Sequence, residues 1–344
     1  AHDGMYWRAA VCCPAAWRKS SIVCGTQFNN ISSTERGGAA ATKPLFFYKE
    51  LPKGDRSMKS MKMISGFIDL NKPKGISSAA AVSRIRRLSG MPCGHMGTLD
   101  PMASGVLPVA VGNASRLFQY MLDKEKQYRA VFRFGAETDT LDATGTILRD
   151  GLPVPSEEEI RAVLPTLIGE VDQLPPAYSA KSVGGVRAYK LAREGKDVAL
   201  QPKRVQIRDL TLLGRVSEDC FAFAVSCGGG TYVRSIARDI AKCCGTCALM
   251  TSLVRERSGP FTLEESVSPE ELTSENWRDH LLPPEGAFSM PALHFAGEEA
   301  WRLRNGQKFV FGATDGEYKL WLDGDFYGIA RIEEGIVRAK VKLV

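Results

Sequence analysis

The sequence predicts an α+β protein with a large mixed-sheet domain and a small C-terminal all-β barrel. Three observations support this. The 344 residues exceed the usual size of one hydrophobic core. Predicted elements run strand, helix, several strands, then helix, which is typical of an α+β domain with a mixed sheet. From about residue 290, short strands are separated by Gly and Asp-Gly turns, which indicates a barrel.

The large domain begins with a strand and a helix. An apolar run in GFIDLNKPKG ends at a Lys-Pro-Lys-Gly turn, and SAAAVSRIRRLSG then has helical spacing and a terminal glycine. In KQYRAVFRFGAET, four apolar side chains recur at every second position: Tyr128, Ala130, Phe132 and Phe134. This period of two predicts a strand with one buried face.

The second half of this domain contains a predicted turn, two helices and two further strands. TDTLDATG is typical of a turn, and SEEEIRAVLPTLIG predicts a capped helix. Strands are predicted in RVQIRDLTLLGR and CFAFAVSC, and the Gly-rich turn after the second leads into a helix, IARDIAKCC.

Residues 1–62 differ in character from the rest. They mix Trp, Cys, Ser and basic residues without sustained periodicity, which indicates a non-core extension without fixed structure. They are either a transit-type leader or upstream sequence outside the working protein. Residues 1–65 contain 10 Lys/Arg and 4 Asp/Glu, which accounts for the whole net charge of +6. Bulk charge is therefore weak evidence for a nucleic-acid partner.

Composition excludes several classes of protein. The nine cysteines are an odd number in a long chain without a secretory signal, so we expect a reducing, cytoplasmic compartment, with organelle targeting by residues 1–62 as the alternative. We interpret the Cys-Gly-Thr-Cys at 244–247 as packing or loosely exposed thiols. No apolar run is long enough to cross a membrane. P-loop, GxGxxG and HExxH signatures are lacking, which argues against nucleotide-dependent transfer and zinc hydrolysis.

One carboxylate attracts attention, in the stretch CGHMGTLDPMASGVLPVAVG. An Asp-Pro pair commonly starts a helix, so this dipeptide alone predicts that Asp100 caps a short helix. A catalytic role would require partners, and the candidates are Lys72, Tyr128, Tyr232 and Arg234. Each also has an ordinary interpretation as a turn, core or surface residue. If Arg234 reached Asp100, it would keep that carboxylate ionised and oriented.

Five motifs, in order, resemble the TruB family of tRNA pseudouridine synthases. They are GFIDLNKPKGISS, GHMGTLDPMASGVLPVAVGNASR, KQYRAVFRFGAETDTLDATG, PPAYSAKSVGGVRAYKLAREG and GGGTYVRSIARDIA, and the resemblance covers roughly residues 64–262. It implies a pseudouridine synthase catalytic domain over residues 63–285. More weakly, the segment 290–344 resembles the PUA-like RNA-binding domain of bacterial members.

The resemblance also implies roles for single residues. Asp100 matches the nucleophilic aspartate, Tyr128 the tyrosine that stacks on the target base, and Arg234 the arginine that pairs with the aspartate. His95 matches a histidine that contacts the substrate.

Three further residues match positions in the family's pocket. Tyr232 matches the tyrosine that precedes the arginine, Leu253 an apolar residue that lines the pocket, and Lys72 the lysine of the KPxG turn. The sequence departs from the family pattern at two places. Ser182 stands where a lysine is usual, with Lys181 one place early, and the usual pair of arginines is Val254-Arg255.

The implied reaction converts a uridine in the T-loop of tRNA, at position 55, to pseudouridine. It needs an anionic carboxylate beside the sugar and the base, and no metal or redox cofactor. The uridine must leave its loop, so we expect an aromatic face to receive it. The implied partner is the T-arm of tRNA, the expected oligomeric state is a monomer, and no membrane is involved. A catalytically silent tRNA-binding or tRNA-folding protein is the main alternative, and a base-excising glycosylase is the second.

Overall fold

A computed structural model describes residues 64–122, 124–179 and 200–343, and the backbone of 182–183 and 186–187. The predicted N-terminal extension and the departure at Lys181 lie outside the described residues. In the described part of the chain, no helix is long and apolar enough to cross a membrane.

The described chain contains the following strands: β1 (Gly66–Lys72), β2 (Cys93–His95), β3 (Ser104–Val111), β4 (Lys126–Phe134), β5 (Glu137–Thr138), β6 (Ile147–Arg149), β7 (Gly169–Gln173), β8 (Ser182–Val183), β9 (Val186–Arg187), β10 (Lys203–Arg215), β11 (Cys220–Cys227), β12 (Ala248–Ser258), β13 (Phe261–Thr262), β14 (Ala292–Phe295), β15 (Phe309–Val310), β16 (Gly316–Leu322), β17 (Asp325–Glu333) and β18 (Ile336–Lys342). The α-helices described are α1 (Ser78–Ser89), α2 (Phe118–Leu122), α3 (Glu157–Val163), α4 (Val233–Cys243) and α5 (Gly297–Arg304). Short 3₁₀ helices cover Gly112–Leu117, Leu164–Leu167 and Pro284–Ala287.

Within the described residues, the larger sheet has the strand order β1-β3-β12-β4-β11-β10-β7, with β2 beside β3 and β13 beside β12. Its pairs are antiparallel except β3 with β12. The prediction of a mixed sheet is therefore confirmed. The second sheet has the order β14-β16-β17-β18-β15, and helix α5 follows its first strand.

Local sequence explains where the first elements begin and end. Strand β4 alternates strictly between buried and half-buried residues, as its apolar period predicts. The Ser77 hydroxyl caps α1 by accepting from the Ala80 amide, and Gly90 ends this helix in the left-handed conformation. Ser156 and Glu159 form a capping box at the start of α3.

The two faces of the larger sheet bury different partners. Side chains of α1 and α4, including Ile85 and Ile240, share one core with the apolar face of β4. A second core includes Phe67 and Val106, and it also contains Ile329 of the second sheet and Leu343, which follows β18. The second sheet therefore buries part of its apolar surface against the larger one.

One local expectation is wrong. The segment around Asp100 does not start a helix: residues 101–102 form a turn, in which the Ala103 amide donates to the Asp100 carbonyl over 3.0 Å. Since β3 begins at Ser104, too few residues remain for a helix.

Candidate active site

The loop of residues 96–103, between β2 and β3, carries Asp100 and is held on both sides of it. The Ser78 hydroxyl bonds both the amide and the carbonyl of Leu99, at 2.9 and 2.8 Å. The Gly75 amide donates to the Pro101 carbonyl over 2.7 Å. Tertiary hydrogen bonds on its neighbours, rather than a helix, therefore fix the backbone at Asp100.

Helix α4 brings a cation to this carboxylate. Arg234 is the second residue of α4, and its Nε lies 3.0 Å from Oδ2 of Asp100. The sequence left this contact open. The structure forms it between residues 134 positions apart in the chain.

The remaining donors of Arg234 are also used. Its Nη1 donates to the Thr140 carbonyl over 2.8 Å and lies 3.5 Å from Oδ2 of Asp142, and its Nη2 donates to the Tyr178 carbonyl over 3.1 Å. With both ends of the guanidinium occupied, its plane is fixed and Nε faces Asp100.

Asp142 is the second carboxylate of this network. Its Oδ1 accepts from the Thr140 hydroxyl at 2.8 Å, and from the amide and hydroxyl of Thr144 at 2.9 and 2.5 Å. Between Thr140 and Asp142, Leu141 adopts φ +59°. This left-handed conformation is unfavourable for leucine, and it lets the Thr140 carbonyl and the Asp142 carboxylate both reach Arg234.

Exposure distinguishes the members of the network. The side chains of Arg234 and Asp142 are each 6% exposed, whereas that of Asp100 is 35% exposed. Arg234 and Asp142 thus form the buried support, and a ligand can approach the carboxylate of Asp100.

The surroundings of Asp100 act on its pKa in opposite directions. Desolvation raises this pKa, the positive charge and hydrogen bond of Arg234 lower it, the charge of Asp142 raises it, and that of Lys72 lowers it. The net effect is a raised pKa. Arg234 and Lys72 therefore favour the ionised form against the effect of desolvation.

Tyr128 and Leu253 lie in neighbouring strands, β4 and β12. Both side chains are buried in the core cluster that also contains Leu99 and Met102. Burial raises the pKa of Tyr128, and the charge of Arg255 opposes that rise. The negative charge of Asp100 also raises this pKa, which places the phenol within electrostatic range of the carboxylate.

Lys72, at the end of β1, is not a solvated turn residue. It is fully buried, and its Nζ donates to the carbonyls of Pro73 and Ile76 at 2.9 and 2.8 Å. Desolvation lowers its pKa to about 8, although the charge of Asp100 acts in the opposite direction. Lys72 thus pins the turn that holds the loop of Asp100.

His95 and Tyr232 are less closely connected to the network. Burial lowers the pKa of His95, and its Nδ1 is buried with no hydrogen-bond partner in the described residues. Gln173 clamps the backbone of Tyr232, accepting from its amide at 2.8 Å and donating to its carbonyl at 3.2 Å. Among the described residues, the structure forms no hydrogen bond from either side chain to Asp100.

Sequence reasoning missed two of these participants. Asp142 and Thr140 lie in TDTLDATG, which predicted only a turn. The Thr140 carbonyl and the Asp142 carboxylate contact Arg234, which is about 90 positions away in the chain. Such a long-range contact produces no local sequence pattern, so only the folded structure shows it. In the described residues, no three His, Cys, Asp or Glu side chains are grouped closely enough to hold a metal ion.

Comparison with known proteins adds an independent result. Residues 86–233 match the model of the TruB family of pseudouridylate synthases, N-terminal domain. The tRNA pseudouridine synthase B of Caulobacter vibrioides is 40% identical over 253 residues, which are 72% of this chain and 82% of that protein. The tRNA pseudouridine synthase B of Acaryochloris marina is 40% identical over 287 residues, or 81% of this chain and 98% of that one.

Solved structures agree on the fold. The crystal structure of a Cbf5-Nop10-Gar1 complex matches with a TM-score of 0.61 at 22% identity, over 81% of this chain and 85% of the matched chain. The archaeal box H/ACA sRNP Nop10-Cbf5 complex matches with a TM-score of 0.60 at 23% identity, over 81% and 86%. The predicted fold class is confirmed: an α+β protein with a mixed-sheet synthase domain and a small C-terminal PUA-like β domain, in which the short helix α5 accompanies the five-stranded sheet.

Proposed function

Because the chain belongs to the TruB family of pseudouridylate synthases, we propose that it isomerises uridine 55 in the T-loop of tRNA, with Asp100 as the nucleophile. One observation carries the assignment of the nucleophile. Asp100 is the exposed member of a buried network, 3.0 Å from an arginine whose two Nη groups each donate to a main-chain carbonyl. The relatives' names, tRNA pseudouridine synthase B, support the choice of tRNA as substrate.

The reaction explains why a fixed, ionised carboxylate is required. The bond between N1 of the base and C1′ of the ribose breaks, the base turns, and a bond forms between C5 and C1′. The proton on C5 is lost and N1 gains one, so product and substrate are isomers. Asp100 serves either by covalent addition or by first removing a proton from the sugar. Both routes need the anion that Arg234 and Lys72 favour.

The other candidate residues complete the proposed site. Tyr128 supplies the aromatic face for the flipped base and Leu253 the apolar wall beside it. His95 occupies or holds the place that the base leaves, and Tyr232 and Lys72 complete the pocket. The buried Nδ1 of His95 has no partner in the described residues, so a hydrogen-bonding partner is expected there when substrate is bound and the surrounding residues move.

At the level of the whole protein, the proposal covers its organisation and setting. Residues 63–285 are the catalytic domain and residues 290–344 a PUA-like RNA-binding domain. The protein acts in the cytoplasm as a monomer, on the T-arm of tRNA, without a metal or redox cofactor.

The test is to incubate the purified protein with an unmodified tRNA transcript and to map pseudouridine chemically. The parent protein should modify the T-loop uridine in multiple turnover. Asp100→Asn should bind tRNA and form no product, because it keeps the shape of the side chain and removes its negative charge. Asp279→Asn, which alters an exposed carboxylate, is the matched control and should retain the parent rate.

The alternatives give different results in the same assay. Tight tRNA binding by the parent protein without pseudouridine would indicate a binding or folding protein. Release of free uracil would indicate a glycosylase. Multiple turnover by Asp100→Asn would show that Asp100 is not the nucleophile.

A further inference from the structure

A second buried arginine lies on the other side of the loop that carries Asp100. Arg255 is in β12, where its backbone pairs with Tyr128 of β4 on one side and with Gly105 of β3 on the other. The residue is only 1% exposed. Burying a guanidinium carries a large desolvation cost unless its donors form hydrogen bonds, so the contacts of Arg255 require an explanation.

The guanidinium bonds main-chain carbonyls at both ends of this loop. Nε donates to the Val106 carbonyl over 2.6 Å, beyond the loop in β3. Nη2 donates to the Gly97 carbonyl over 3.1 Å and Nη1 to the Thr98 carbonyl over 3.4 Å, both just before Asp100. One rigid side chain therefore joins the start of the loop to the strand that follows it.

The neighbouring strand is shaped to admit this residue. Gly105 has φ +102°, and a Cβ placed on it would lie 2.2 Å from the carbonyl oxygen and 2.9 Å from the amide nitrogen of Arg255. No other residue type fits there without separating β3 from β12. The close approach sets the backbone of Arg255 directly against the strand that leaves the loop.

The charge of Arg255 also reaches other candidate site residues. Desolvation is the larger influence on these groups, since it raises the pKa of Tyr128 and lowers the pKa of Lys72 and of His95, and the charge of Arg255 acts to lower all three pKa values. The guanidinium is thus near all three residues, and near the loop of Asp100 through its hydrogen bonds.

We propose that Arg255 is a positioning residue, which holds residues 97–100 and Tyr128 in a fixed relation so that the carboxylate and the aromatic ring meet the same base. This rests on the proposed function. An apolar side chain would fill the same volume at lower desolvation cost, which argues that fold stability alone does not explain an arginine here. A lysine would keep the charge but could not bridge three carbonyls that lie in different directions.

The test compares Arg255→Lys and Arg255→Met with the parent protein in steady-state tRNA modification, well below the melting temperature of each variant. Both variants should lose about tenfold or more in kcat while KM stays within about threefold, because misplaced groups affect the chemical step more than tRNA binding. Arg257→Met is the matched control. It lies in the same strand, and its exposed side chain donates to the Gly259 carbonyl over 3.1 Å. This variant should keep the parent kcat.

The outcomes are distinguishable. A folded Arg255→Met or Arg255→Lys with the parent kcat would overturn the positioning role and leave the proposed function intact. If Arg255→Met does not fold, Arg255→Lys decides, since it keeps the buried charge. A decrease in stability with unchanged kcat would show a purely structural role. A parent protein that forms no pseudouridine would overturn both proposals.

Discussion

Asp100 and Asp142 both contact Arg234, and this arrangement influences the pKa and the orientation of the Asp100 carboxylate, which is the exposed one. Arg234 contacts both, at 3.0 and 3.5 Å, and only Asp100 is substantially exposed. Three donors also bond Oδ1 of Asp142, which fixes the position of its side chain. Arg234 carries one positive charge and the two carboxylates carry two negative ones. The charge of Asp142 therefore adds to desolvation in raising the pKa of Asp100.

This network predicts opposite pH effects for two neutralising substitutions. In Asp142→Asn, a negative charge that raises the pKa of Asp100 is lost, so the acid limb of the kcat profile should move to lower pH. In Arg234→Gln, a positive charge that lowers this pKa is lost, so the limb should move to higher pH. Both variants should lose about tenfold or more in plateau kcat because the carboxylate is less well oriented.

The measurement is kcat against pH for both variants and the parent, at saturating tRNA. Thr144→Val is a suitable control, because it removes one hydrogen bond to Asp142 without changing a charge. Its acid limb should shift less than that of Asp142→Asn. Shifts in the same direction for Asp142→Asn and Arg234→Gln would contradict the network as the source of the pKa.

A second buried carboxylate, Asp69 in β1, predicts how stability depends on pH. Its Oδ2 accepts from the Thr262 amide over 3.0 Å, and its Oδ1 is buried with no hydrogen-bond partner in the described residues. Desolvation raises its pKa from 3.8 to about 7. The folded state then binds the proton more tightly than the unfolded state. The stability from protonated Asp69 is complete below pH 3.8 and is lost as the pH rises through about 7.

Asp69→Asn should therefore gain stability relative to the parent as the pH rises. Asn can still accept from Thr262 and cannot ionise, so the difference in unfolding free energy should grow by about 2–3 kcal/mol between pH 5 and pH 8. Denaturant unfolding at the two pH values measures it. Asp279→Asn, at an exposed position, should show no comparable growth. A difference for Asp69→Asn that stays constant with pH would mean that Asp69 does not titrate in this range.

At the scale of elements, the sequence predicted regular structure better than loop structure. The alternation in β4, the Ser and Gly caps of α1 and the capping box of α3 are local patterns, and the structure confirms each. The prediction of a helix start at Asp100 is wrong because an Asp-Pro pair is also compatible with a turn. Hydrogen bonds from Ser78 and Gly75, more than 20 residues away, decided between them.

The contact between β3 and β12 predicts a specific effect of glycine replacement. Gly105 and Gly75 have similar φ values, +102° and +97°, but a Cβ on Gly75 meets nothing within 4 Å. Gly75→Ala should cost only the backbone strain, about 1 kcal/mol. Gly105→Ala should cost about 4 kcal/mol or more, because its Cβ would collide with the Arg255 carbonyl.

Chemical denaturation of both variants measures this difference, and the Gly75 variant serves as the strain control. Equal costs would show that the strands can separate at Gly105 without penalty. They would also weaken the case that this approach fixes Arg255.

At the scale of the whole molecule, the site draws on parts of the chain that the sequence could relate only through family resemblance. The motifs around Asp100, Tyr128 and Arg234 were each recognisable. The supporting roles of Asp142 and Arg255 were not, because they depend on the packing of a loop and a strand far apart in sequence. Charge is also distributed unevenly along the chain. Residues 66–344 contain 35 basic and 35 acidic residues, so the net charge of +6 comes entirely from residues 1–65.

Because residues 66–344 have no net charge, we expect tRNA binding to depend on a few basic side chains near the site. Two exposed lysines lie near the site. Lys74 follows the buried Lys72 in the turn after β1. Lys203 lies beside Gly230, just before α4, since its Nζ is 2.7 Å from the position that a Cβ on Gly230 would occupy. If each contacts one phosphate, Lys74→Gln and Lys203→Gln should each reduce the slope of log K against log salt by about 1. Their kcat at saturating tRNA should stay near the parent value.

A chain that begins at Met63 provides the comparison, because it lacks the segment that carries the whole net charge of +6. We expect it to retain the parent kcat and the parent salt slope, since the phosphate contacts belong to the surface near the site and base stacking does not depend on salt. Titrations with tRNA at four salt concentrations measure both quantities. If the slope instead decreased in the shortened chain and not in the lysine variants, the phosphate contacts would belong to residues 1–62, and tRNA binding would depend on the basic N-terminal segment.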